Sequence, residues 1–132
     1  MSNTITIEIP MTAHDRRRVR RIVEAPDGAR FPLELATGTV LRPGQLLHQS
    51  GDRQYIVAAA PEDVLGARPR DIAEAARVGH LIGNLHRDIE THGADVVALA
   101  DTALANRLQR AGIPFVEDRR VFHGRPPGEH AH

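Results

Sequence analysis

The sequence predicts an α+β protein in three parts: a small all-β domain over residues 1–61, a βαββαβ domain over 62–123, and a flexible tail over 124–132. Two observations carry this. Up to Ala59, hydropathy alternates in short runs with a period of two, and Gly- and Pro-rich turns separate the runs. Beyond Pro61 two longer segments repeat their apolar residues with a helical period, and strand-like runs flank them.

The elements follow in order. Thr4-Ile5-Thr6-Ile7-Glu8-Ile9 alternates as a half-buried strand does. Val19 to Ala25 is a second strand, ended by the turn Pro26-Asp27-Gly28. Arg30 to Leu35 and Gly38 to Leu41 are the next two. The turn Arg42-Pro43-Gly44 leads to a strand from Gln45 to Gln49, and Ser50-Gly51-Asp52 leads to another from Gln54 to Ala59. Many short strands with no helix between them make an all-β domain.

In the second part, Glu62 to Arg68 reads as a strand. Pro69 restrains the chain, and Asp71 is placed to cap a helix running to about Ile82. Ile72, Ala75, Ala76, Gly79 and Ile82 form its expected inward stripe, with Gly83-Asn84 as the stop. Arg87 to Thr91 and Asp95 to Ala100 form a hairpin around His92-Gly93-Ala94. Asp101 caps a second helix, whose stripe is Ala103, Leu104, Leu108 and Ala111. Gly112 ends it, and Ile113 to Phe122 is the last strand. The order βαββαβ is the ferredoxin-like split arrangement. Pro126-Pro127-Gly128 opposes regular structure in the tail.

Composition narrows the chemistry. Hydrophobic residues make up 41% and aromatics 3%, so the core is aliphatic. All seventeen basic residues are Arg, and they balance seventeen acids, which gives no overall steering toward nucleic acid or membrane. The absence of cysteine excludes disulfides, thiolate catalysis and thiolate zinc sites, and fits a reducing cytoplasm. The first ten residues lack the basic-then-apolar layout of a signal peptide, and no apolar run reaches the roughly 20 residues of a membrane span. There is no Gly-rich phosphate loop, no Gly-x-Ser-x-Gly and no evident carboxylate pair, so an enzyme reading finds no anchor.

Eight histidines remain. Imidazole is the commonest protein ligand for late first-row divalent metals. His14 and His48 have no second ligand near them in sequence and read as surface or structural. His80 and His86 are six apart, so on a helix they diverge by about 120° and cannot pinch one ion. His86 therefore needs partners from elsewhere. A second copy of the chain across a twofold axis would supply a facing His86. The tail histidines His130 and His132 can add ligands and withdraw them. Alternatively, His86 is a helix-end or interface residue and the tail a plain unstructured end. The run Arg16-Arg17-Arg18-Val19-Arg20-Arg21 could meet phosphate, but the blander reading is a solvated edge. No aromatic interleaves it to stack a base.

Two stretches resemble a known family. Glu62-Asp63-Val64 through Asp71 to Gly83-Asn84-Leu85-His86 is similar to the UreE urease accessory proteins, which are nickel metallochaperones and carry Gly-Asn-Arg-His at this point. Thr37-Gly38-Thr39-Val40-Leu41-Arg42-Pro43-Gly44-Gln45-Leu46-Leu47 resembles the family's R-G-T-x-L-R-x-G-D-x-L stretch. The resemblance implies a peptide-binding type of N-terminal domain, a ferredoxin-like metal-binding domain and a homodimer. It implies that His86 of each copy binds Ni(II) at the dimer interface, with His130 and His132 as added ligands. Cu(II) or Zn(II) would also fit such ligands. It implies as partners the UreG GTPase and the urease apoprotein activation complex, with no catalysis, nucleic acid or membrane involved. Leu85 stands where the family has Arg. Ala100-Asp101-Thr102 stands where some members have His-x-His, which implies about one ion per dimer. Two other classes stay open on the residues alone: a metal-independent protein-interaction module and an RNA-associated module.

Overall fold

The computed structural model describes residues 3–124, and these divide into two compact units between Ala60 and Pro61. In the first unit β1 (Ile5–Met11) lies parallel to β5 (Arg53–Ala59). β4 (Leu46–Ser50) runs antiparallel on the other side of β5, with an irregularity between Leu46 and His48. β2 (Arg20–Glu24) and β3 (Arg30–Glu34) form a separate antiparallel ribbon. Alternation explains which side chains go inward. Ile9 and Met11 of β1 meet Val23, Phe31, Leu33, Tyr55 and Val57 in one core. At the ribbon's turn, Asp27 accepts from the Tyr55 hydroxyl and from Arg53 Nη1, each at 2.8 Å, which ties ribbon to sheet. His48 stacks on Phe31 with ring centroids 4.5 Å apart, so it is a packing residue.

Two expectations for this unit change. Gly38 to Leu41 is not a strand. Its one ladder-like bond runs from Leu41 N–H to the Arg16 carbonyl, at 2.7 Å. Leu41 packs into the core of this unit while Val40 stays exposed, so the segment is a strap without a strand partner. The Arg run is not wholly solvated either. Arg16 is 2% exposed and donates to the Met11 carbonyl at 2.7 Å. It belongs to a short 3-10 turn, Asp15–Arg17, and is not available to phosphate.

The second unit is β6 (Pro61–Ala67), α1 (Ile72–Asn84), β7 (Glu90–His92), β8 (Asp95–Leu99), α2 (Thr102–Arg110) and β9 (Phe115–Val121). Its sheet has the order β7-β8-β6-β9, all antiparallel, as the ferredoxin-like arrangement requires. Asp71 and Asp101 cap the two helices, accepting from the backbone of Glu74 and Leu104 at 2.7 Å. β7 is shorter than expected because residues 85–87 are spent closing α1.

The buried face of α1 also differs from expectation. Val78 and Ile82 are buried, with Leu81 and Leu85 packed beside them, whereas Ile72 is 89% exposed and Ala76 faces out. Two apolar stripes overlap on this helix, and the one with the larger side chains removes more area from water. In α2, Leu104 and Leu108 go inward as expected, but Ala103 and Ala111 do not.

The chosen stripe also buries Glu74, which is held by Arg70 at 2.8 Å and Arg77 at 3.6 Å. Arg70 reaches on to the Gly112 carbonyl at 2.9 Å, linking the start of α1 to the end of α2. The hydrogen bonds from Arg70 keep the Glu74 carboxyl below its ordinary pKa. A carboxyl depressed by folding stabilises above its unfolded pKa and loses that contribution as pH falls through the folded one. Thermal melts should therefore weaken below about pH 4, and Glu74→Gln should flatten part of that fall while lowering the melting temperature at neutral pH. A mutant whose pH profile matches the wild type would remove Glu74 from this role.

Candidate metal centre

His86 stands where α1 ends, and the way it ends is unusual. Leu85 is the C-cap. The N–H of His86 donates to the Gly83 carbonyl at 3.0 Å, and that of Arg87 donates to the Ile82 carbonyl at 3.3 Å. These are the two bonds of a Schellman motif, which places its next residue in the left-handed region. Glycine is the usual occupant. Here it is histidine, at φ 56°, the one non-glycine residue with positive φ among the described residues. A side chain there costs on the order of 1–2 kcal/mol relative to a right-handed conformation. The imidazole is exposed. A costly conformation that presents an exposed imidazole points to a use for that side chain.

The chain after His86 is held by two other segments. Arg87 pairs with Asp101 at 3.1 Å, which fixes the chain leaving the helix. Asp88 follows, and the end of the described chain lies against it. A Cβ on Gly124 would fall 2.9 Å from the Asp88 Cβ and 2.6 Å from the Phe122 ring, so the backbone there approaches as closely as only glycine allows. Just before it, the His123 N–H donates to Glu90 Oε1 at 2.9 Å, while Glu90 Oε2 meets His92 Nε2 at 2.9 Å. The last described residue thus sits beside Asp88, two positions from His86 in sequence.

Of the residues proposed from sequence, only His86 lies in this structure. His130 and His132 lie outside the described residues. Eight residues follow Gly124, and a fully extended chain of that length spans about 26 Å, so the distance from Asp88 to His86 is within reach. Three other histidines have partners: His48 stacks on Phe31, His80 meets Asn84 Nδ2 at 3.2 Å, and His92 is held by Glu90. Among the described residues no three His, Asp or Glu side chains are grouped to hold an ion. One copy offers one imidazole here. Sequence reasoning missed Asp88, Glu90 and Gly124, because their roles arise from a contact between residues more than thirty positions apart.

Comparison with known proteins agrees with this architecture. A family profile described as "UreE urease accessory protein, N-terminal domain" matches residues 3–60. The urease accessory protein UreE of Deinococcus radiodurans is 49% identical over 94% of this chain and 80% of its own length. That of a Synechococcus species (strain JA-3-3Ab) is 47% identical over 96% of this chain and 85% of its own. That of Corynebacterium efficiens is 31% identical over 75% of this chain and 66% of its own. With half the positions identical to one relative across nearly the whole chain, and with the two units in the expected order, this chain belongs to the UreE family of urease accessory proteins.

Proposed function

We propose that this chain is a nickel carrier for urease assembly, a non-catalytic accessory protein that holds Ni(II) and passes it on. The observation that carries this reading is the exposed His86 at a left-handed helix end, the position of the family's motif histidine. Two copies facing across a twofold axis would bring two such imidazoles to one ion, and His130 and His132 would complete the shell. Imidazole and carboxylate ligands suit Ni(II), and equally Cu(II) or Zn(II), so selection among them rests on availability rather than affinity. An ion held at an exposed interface by few ligands exchanges readily, because an incoming ligand can replace a tail histidine without opening the fold.

The partners that fit this role are the UreG GTPase and the urease apoprotein activation complex, and the compartment is the cytoplasm. The cysteine-free composition supports a cytoplasmic reading, and among the described residues no helix is long and apolar enough to cross a membrane.

A nickel titration by calorimetry tests the arrangement, on the full chain and on one ending at Arg125. We expect about one ion per two copies, and a several-fold loss of affinity without the tail. The dimer mass should persist, since the tail histidines supply only part of the shell. Identical affinity for the two chains would remove the tail from the site. Absence of nickel binding to the full chain would remove the carrier role.

A further inference from the structure

We propose that the outer edge of β9 is a self-association surface, on which β9 of a second copy pairs antiparallel about a twofold axis at Asp118. β9 is bonded on one side to β6, from Phe115 opposite Ala67 to Val121 opposite Pro61. Among the described residues no strand pairs with its other side. A seven-residue free edge is a template for another strand, and charges usually blunt such edges by repelling an identical neighbour. Here the charges run Glu117-Asp118-Arg119-Arg120, two acids and then two bases, so an antiparallel twin can set Glu117 against Arg119 twice, although Asp118 then faces its own twin.

Geometry restricts the register. Successive side chains of a strand point to opposite faces, and directly opposed residues share a face. A twofold axis through the edge, perpendicular to the sheet, keeps each residue on its own face. The axis must therefore pass at a residue and not between two. Centred on Asp118, Glu117 opposes Arg119 of the second copy and Phe115 opposes its Val121, each pair occurring twice. On the other face Asp118 opposes its own twin, with Arg120 of each copy on the diagonal. Centred on Arg119, only residues 117–121 of the strand would pair, whereas centring on Asp118 pairs all seven. The first register is the one that uses the whole strand.

The residues are available for it. Glu117, Asp118 and Arg119 are exposed. Arg119 meets Asp63 at 3.1 Å, but these side chains are 64% and 75% exposed, so redirecting Arg119 costs little. Pairing would extend the four-stranded sheet to eight. It would use none of the residues that close α1, where His86 stands.

Disulfide trapping tests the register directly, because the chain has no cysteine. Opposed residues in an antiparallel pair have Cα atoms about 4.5–5.5 Å apart, within disulfide range. Oxidised without metal, Asp118→Cys should form a covalent dimer. Val116→Cys should not, because its twin would lie four positions along the strand, about 13 Å away. Failure of Asp118→Cys to cross-link, or equal cross-linking at position 116, would overturn the proposal. On the Asp118→Cys background, Glu117→Arg should lower the dimer yield roughly tenfold, and adding Arg119→Glu should restore it. A single reversal without effect, or a double one without rescue, would likewise count against it. Neither readout depends on nickel or on His86.

Discussion

Replacing His86 by glycine should abolish tight nickel binding and make the protein more stable. The two effects come from one position. Glycine adopts φ near 56° without the clash that a Cβ brings, so the Schellman turn should gain about 0.5–1 kcal/mol. At the same time each copy loses the one imidazole that the described residues offer to the proposed site. Losing even an outer-shell partner of a metal ligand costs about 10–100-fold in affinity, so losing the ligand itself should exceed on the order of 100-fold. Alanine is the poorer probe, since it keeps the Cβ and the strain. Calorimetry with nickel and a thermal melt read the two effects separately. Unchanged nickel affinity would sink the role of His86. A melting temperature that falls would show that the imidazole, and not the helix end, is what the conformation serves structurally.

Gly124→Ala should destabilise the second unit while barely touching nickel affinity. A Cβ there meets the Phe122 ring at 2.6 and 2.9 Å and the Asp88 Cβ at 2.9 Å, on a backbone at φ 72°. Phe122 is wholly buried and cannot swing aside. Overpacking and a left-handed alanine together should cost about 2–3 kcal/mol, or a fall of roughly 5–10 °C in melting temperature. Release of residues 122–124 would lengthen the chain between the fold and its end from 8 residues to 11. Effective concentration falls as about the −3/2 power of length, so nickel binding should weaken by less than about twofold. An unchanged melt would mean that the close approach of Gly124 to Asp88 is absent in solution.

The order of elements was legible in the sequence, because each depends on a few neighbouring residues. Asp71 and Asp101 cap their helices as expected, and the turns at residues 26–28 and 51–52 close where Gly and Pro place them. Order alone then sufficed for the split βαββαβ arrangement, since right-handed crossovers leave few ways to lay that order on one sheet. The motif position likewise singled out His86 before any coordinates.

What tertiary structure decided was facing, conformation and proximity. Periodicity finds an apolar stripe, and Ile82 goes inward as it expects, but α1 carries two such stripes, and only burial against the sheet selects Val78 over Ile72 and Ala76. Glu74 enters that core because Arg70 and Arg77 meet it there, and a hydropathy pattern does not register such a pairing. Gly38 to Leu41 has a strand's composition but bonds only back to Ala36 and to the Arg16 carbonyl, so it forms a strap. The family resemblance singled out His86, whereas its left-handed backbone follows from how Gly83 and Ile82 satisfy their carbonyls. The contact of Gly124 with Asp88 joins residues far apart in the chain, and local propensity carries no term for such a contact.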